Sequence, residues 1–135
     1  PLGGGAPARA ATSAASRPLR PPLEVQMLPT RTDNYVYLFR NRRTGRAGVV
    51  DPSDAEAVLE AAAALGWTLD TIVNTHHHAD HTDGNEGIQA ATGAVLIAPR
   101  AEASKIPGSV GLEVVGGDTV DLCGVQAVVL DTPGH

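Results

Sequence analysis

The stretch LDTIVNTHHHADHTDGN, Leu69 to Asn85, joins a strand-like segment to a dense group of histidines. Its first seven residues are mostly apolar or β-branched, which predicts a buried strand. The residues that follow contain four of the five histidines of the chain, and the fifth is His135. A polar cluster directly after a buried strand predicts a functional loop at the edge of a sheet.

The spacing of the donors within this loop favours metal binding. His76 and His78 are two residues apart, so both can point into one cleft while His77 turns away. Asp80 and His81 add a carboxylate and another imidazole, a set that suits zinc or iron rather than calcium or magnesium. A polyhistidine tag would lie at a terminus and would lack the interleaved aspartate. The pattern therefore predicts a metal site, and two ions rather than one.

Strand and helix patterns alternate on both sides of the loop. A capping-box pattern of Ser53 and Glu56 precedes a helical segment that Gly66 ends. The order βββαβαβ, followed by further strands, predicts an α/β fold with helices on one face of a mixed sheet. The predicted strands are LEVQML, YVYLF, RAGVVD, LDTIVNT, AVLIA, TVDL and VQAVVLD, the predicted helices are AVLEAAAAL and EGIQAAT, and AEASKI is a helical turn.

Composition predicts one soluble globular domain, residues 23–135, after a disordered tail, residues 1–22. The tail is rich in Ala, Arg and Pro and poor in large apolar residues, so it cannot bury enough surface to become ordered. Beyond residue 23 the chain has seven basic and fifteen acidic residues, a balance that disfavours nucleic acid. The longest apolar run, residues 57–65, is too short to cross a membrane.

Nucleophilic catalysis by a protein side chain is not indicated. The sequence has no G-x-S-x-G elbow, and it has no histidine outside the metal cluster that could activate a serine or Cys123. We interpret Cys123 as a small core residue. A single cysteine is compatible with a reducing compartment and predicts a cytoplasmic protein. The Arg- and Ser-containing tail leaves a mitochondrial or plastid transit peptide as the alternative.

The segment Thr75 to His81, THHHADH, resembles the H-x-H-x-D-H motif of the metallo-β-lactamase superfamily. The resemblance implies that fold, an αββα sandwich of which this chain would be the amino-terminal half. It also implies metal ligands: His76, His78 and His135 for one ion, and Asp80 with His81 for a second. Within the superfamily, TDNYVYLF, VVDP and TPGH look like the glyoxalase II type.

The glyoxalase II resemblance implies a function in methylglyoxal detoxification. The reaction would be hydrolysis of the glutathione thioester S-D-lactoylglutathione to D-lactate and glutathione. The metals, two zinc ions or alternatively iron or manganese, would activate a water molecule. Two alternatives stay open: a mononuclear-iron persulfide dioxygenase of the same fold, and a catalytically inactive metal-binding fragment.

Two departures from the family pattern affect these expectations. Asp83 stands where the family loop usually has glycine. The chain ends at His135, whereas the family has a bridging aspartate, another histidine and a glutathione-binding domain farther on, so we expect a truncated chain that is inactive alone. Asp51 resembles a family aspartate near the metals, but a role in a turn or helix cap is equally compatible with its position.

Overall fold

The computed structural model describes residues 20–135 of the chain. The predicted tail, residues 1–22, lies almost entirely outside the described residues. The strands of the described part are β1 (Leu23–Thr30), β2 (Asn34–Asn41), β3 (Ala47–Val50), β4 (Leu69–Val73), β5 (Val95–Pro99), β6 (Val110–Val114), β7 (Thr119–Leu122) and β8 (Val125–Val128). The helices are α1 (Ala55–Leu65), α2 (Ala79–Thr82), α3 (Asn85–Thr92) and a 3₁₀ helix (Arg100–Lys105).

Six strands form one mixed sheet in the order β1-β2-β3-β4-β5-β6. The pairs β1–β2 and β2–β3 are antiparallel, and the pairs from β3 to β6 are parallel. The remaining strands, β7 and β8, form a separate antiparallel hairpin. The predicted α/β class is therefore confirmed, and the predicted elements occur in the predicted order, with the short helix α2 and the strand β6 in addition. The sequence analysis did not predict β6, although apolar residues occupy alternate positions of its sequence VGLEV; only Val114 of this strand is buried.

Helices α1 and α3 pack beside each other against the sheet. Val58 and Ala62, one helical turn apart in α1, and Ile88 of α3 are all buried in the core. The helices approach closely at Gly87, where a Cβ atom would lie 2.6 Å from the Cβ of Ala55. The buried core cluster consists of Val36, Leu38, Ala47, Val49, Val58, Ala62, Trp67, Leu69, Ile72, Ile88, Ala94, Leu96, Ala98 and Ile106.

The amino-terminal cap of α1 differs from the prediction. Asp54, not Ser53, is the capping residue, and its side chain accepts a hydrogen bond from the backbone N–H of Ala57. Ser53 instead shares a buried 2.5 Å hydrogen bond with Thr30 of β1. Aspartate caps helices as well as serine does, so the neighbouring residue could take this role. The predicted stop at Gly66 is confirmed, with the left-handed φ of 72° that favours glycine.

The β7–β8 hairpin packs against the main sheet through Cys123. This residue is fully buried, as predicted, and its sulfur lies 3.3 Å from Asp70 Oδ1 and 3.6 Å from Thr71 Oγ1, both in β4, so that the thiol can donate to either oxygen. Its backbone carbonyl accepts a hydrogen bond from the side chain of Asn41. Burial raises the pKa of the Cys123 thiol to about 11. The thiol is thus protonated at neutral pH and is unsuited to nucleophilic attack.

We expect the folded protein to resist alkylation at Cys123. Iodoacetamide at pH 8 should react roughly a hundredfold more slowly than with the urea-unfolded chain, since a thiol of ordinary pKa near 8.5 is much more often ionised. Mass spectrometry gives a direct readout, because the chain has one cysteine. Equal rates for the folded and unfolded chains would contradict the burial of this residue.

Among the described residues, no helix has the length and apolar character needed to cross a membrane.

Candidate metal centre

The histidine loop begins where β4 ends, as the sequence predicts. Asn74, the first residue after β4, is buried and anchors the loop: its N–H donates to Ile97 O, and its side-chain amide donates to His81 O. The buried amide of Asn85 donates to Asn74 Oδ1 at 2.6 Å. Gly84 allows the chain to pass close to Pro52, whose carbonyl would lie 2.8 Å from an added Cβ. The loop is therefore held at both ends by buried polar contacts.

Three histidines converge at this edge of the sheet. Donor atoms of His76, His78 and His135 all lie within 4.8 Å of one another. His135 Nε2 lies 3.1 Å from His78 Nδ1. Nitrogens that share a tetrahedral zinc at about 2.0 to 2.1 Å lie roughly 3.4 Å apart, so this separation is close to a liganding geometry. Gly134, with φ of 112°, gives the chain before His135 a conformation that favours glycine.

The ring of His76 has one nitrogen fixed and one without a partner. Nδ1 lies 2.8 Å from the hydroxyl of Thr75, which in turn donates to Asp51 Oδ2 at 2.6 Å. Nε2 is buried and has no hydrogen-bond partner. A buried, unpartnered nitrogen is costly unless it binds something, and a metal ion fits this position. Burial, and then the nearby His81, lower the pKa of His76 and favour the neutral, liganding form.

The carboxylate of Asp51 lies next to the rings of His76 and His81. Asp51 is buried and has φ of 52°, a left-handed conformation that aspartate tolerates better than most residues. It accepts hydrogen bonds from both the N–H and the hydroxyl of Thr75, and its Oδ2 lies 3.2 Å from His81 Nδ1. The contact between Asp51 and His81 does not have the geometry of a hydrogen bond, so His81 Nδ1 has no hydrogen-bond partner. The structure thus places Asp51 at the site, where the sequence left its role open.

Asp80 and His81, which belong to α2, lie beside the group of His76, His78 and His135. Nε2 of His81 is 3.5 Å from Asp80 Oδ2, and the rings of His76 and His81 are 4.4 Å apart. Asp80 stands outside the three-histidine group, and the second cluster of potential donors consists of Asp51, His76 and His81. The hydrogen bond from Asn34 holds the pKa of the Asp80 carboxyl below its usual value. An ionised carboxylate therefore stands ready as a donor.

His77 belongs to a different contact. Its backbone N–H donates to Glu102 Oε1 at 2.9 Å, and its Nδ1 contacts the same oxygen. The hydrogen bond from the His77 side chain lowers the pKa of Glu102. The side chain of His77 thus contacts Glu102 of the 3₁₀ helix, and His77 belongs to neither group of potential metal donors.

The sequence reasoning did not find Thr75, Asn34 and Glu102. Thr75 could have been suspected from its position next to the first histidine. The contacts of Asn34 and Glu102 span 46 and 25 residues, and no local pattern marks them.

Comparison with known proteins identifies similar sequences and folds. The profile described as "Metallo-beta-lactamase superfamily" matches residues 29–134. The hydroxyacylglutathione hydrolase of Rhodospirillum rubrum is 50% identical over 113 residues, which are 84% of this chain and 44% of that protein. The protein of the same name from Hyphomonas neptunium is 45% identical with the same coverage. The chain therefore spans less than half the length of these relatives.

A solved metallo-beta-lactamase from Staphylococcus aureus subsp. aureus COL has a similar fold. The TM-score is 0.67 at 22% identity, over 84% of this chain and 34% of that one. At this identity the likeness concerns the fold alone.

Proposed function

The chain belongs to the metallo-beta-lactamase superfamily, and on that premise we propose that it supplies the metal-binding part of a hydroxyacylglutathione hydrolase. The substrate would be a glutathione thioester, S-D-lactoylglutathione, and the products D-lactate and glutathione. The observation that carries the proposal is the convergence of His76, His78 and His135 at the end of β4. The two relatives of this name, at 50% and 45% identity, support the substrate class.

Each residue of the site has a proposed part. His76, His78 and His135 would hold one ion, and Asp80 with His81 would contribute to a second. Thr75 and Asp51 orient His76, because their hydrogen bonds keep its Nδ1 engaged and leave Nε2 directed to the metal. Zinc is the proposed metal, with iron or manganese as alternatives. When bound, such a centre polarises a carbonyl and activates water for hydrolysis.

We propose that the remaining residues of the active site lie outside residues 23–135. Two protein donors, Asp80 and His81, are fewer than a second zinc needs. A groove of about 310 Å³, lined by Asp80, His81 and residues of β2 and the β1–β2 turn, opens beside these donors. We place the thioester end of the substrate near this groove. The reduced thiol of Cys123 is compatible with the proposed cytoplasmic location.

A chimeric enzyme tests the proposed function. Residues 23–135 replace the aligned segment of the Rhodospirillum rubrum relative, and hydrolysis of S-D-lactoylglutathione is followed through thiol release. We expect activity that a chelator removes and that zinc restores, because the grafted histidines supply the first metal site. The unaltered relative is the positive control, and a chimera with His77→Ala should retain activity. A folded, zinc-loaded chimera that leaves the thioester intact would contradict the proposal.

A further inference from the structure

The turn between β1 and β2 contacts the segment around α2, which contains Asp80. The contacting residues are 46 to 52 positions apart in the sequence. Asn34, at the start of β2, donates through its side-chain amide to Asp80 Oδ2 at 3.1 Å and to Asp80 O at 3.2 Å. One side chain therefore bonds both the carboxylate and the backbone of the same residue. This pair of bonds fixes the rotamer of Asp80 relative to its own helix.

A second contact joins the same two segments at the other end of α2. Arg31, with φ of 53°, donates to Asp83 Oδ2 at 2.7 Å and to the backbone carbonyl of Ser53 at 3.0 Å. Asp83 directly follows α2 in the chain. Its carboxylate gives Arg31 a partner that glycine could not provide.

We propose that Asn34 and Arg31 form a clamp that positions Asp80 for the second metal, an inference that rests on the proposed function. The two residues of the clamp bind Asp80 and Asp83, which lie on either side of His81 in the sequence. A helix of only four residues has little intrinsic stability, so its geometry depends on such tertiary contacts. Asn34 and Arg31 are thus positioning residues, since they act through the donors and do not bind the metal themselves.

The first test needs no metal. Amide hydrogen exchange is measured by NMR on the metal-free 135-residue chain, at His81 N–H and Asp83 N–H, which donate to His78 O and Ala79 O at the two ends of α2. Asn34→Ala should accelerate exchange at both amides at least tenfold, while the amides of α1 remain unchanged as internal controls. Unchanged exchange at His81 and Asp83 would overturn the clamp.

The second test asks whether the clamp matters for the metal. In the chimera, zinc titration should show a second ion whose dissociation constant rises 10- to 100-fold with Asn34→Ala, whereas the first changes less than about threefold. General destabilisation would not produce this selectivity. Arg31→Ala should weaken the second ion several-fold, and no further when Asp83→Gly is already present.

The outcomes separate the two proposals. Equal weakening of both ions, or an unchanged second ion despite a loosened helix, would overturn the positioning role while leaving the thioester hydrolase standing. Additive effects of Arg31→Ala and Asp83→Gly would show that these residues do not act as a pair. An unaltered chimera that binds no ion at all would contradict the proposed function itself.

Discussion

Replacing His78 by alanine is expected to weaken zinc binding to the 135-residue chain roughly a hundredfold to a thousandfold. Structural zinc sites with four ligands are worth about 10 to 16 kcal/mol, so one ligand contributes about 2.5 to 4 kcal/mol. His78 is exposed, and its ring lies next to the rings of His76, His77 and His135. The substitution should therefore remove a donor without disturbing the fold. The unaltered chain should bind about one ion, less tightly than a complete binuclear site.

His77→Ala is the matched control for this variant. It removes the same type of side chain from the adjacent position, but this side chain contacts Glu102 and lies outside the donor groups. Zinc affinity should change by less than about threefold, measured by competition with a chromophoric chelator, while circular dichroism checks the fold. Equal losses in the two variants would show that the loop binds zinc through its histidines without the proposed geometry.

The isolated chain is expected to hydrolyse S-D-lactoylglutathione at least a thousandfold less efficiently than the chimera, as judged by kcat/KM. The second ion would have two protein donors, Asp80 and His81, so it should be lost or mobile. Substrate orientation is also missing, and well-oriented binding supplies roughly 7 to 11 kcal/mol toward a reaction barrier. Slow, unselective ester or thioester cleavage by a three-histidine zinc site remains compatible with this expectation.

The comparison requires equal zinc loading and one assay for both proteins. A His76→Ala variant of the isolated chain defines the background rate. If the isolated chain turned over at the rate of the chimera, and His76→Ala abolished that turnover, residues 1–135 would contain a complete site. The proposed need for further ligands would then be wrong.

The fold was largely predictable because its signals are local. Strand β4 is a short apolar run that ends in a polar cluster, and α1 has a left-handed glycine at its end. The cap of α1 was assigned one residue too early, because two good capping residues, Ser53 and Asp54, are adjacent. The side chain of Ser53 instead bonds Thr30, more than twenty residues away, and no local pattern in the sequence marks that contact.

The candidate site was predictable in its donors but not in the contacts that support them. The spacing of His76 and His78 is visible in the sequence, and the resemblance to a known motif added His135. The position of Asp51 beneath Thr75 depends on the parallel pairing of β3 with β4, which brings the ends of both strands together. The contact of Asn34 with Asp80 likewise depends on tertiary structure. Such contacts leave no periodic pattern in the sequence.

Anomalous scattering from crystals of the zinc-loaded chain tests the central claim most directly. Difference maps from data collected on both sides of the zinc absorption edge locate the ion without reference to activity. The proposed site predicts a peak about 2.0 to 2.1 Å from one ring nitrogen each of His76, His78 and His135. A peak that contacts His77 and Glu102 instead, or no peak within reach of His76 Nε2, would contradict it.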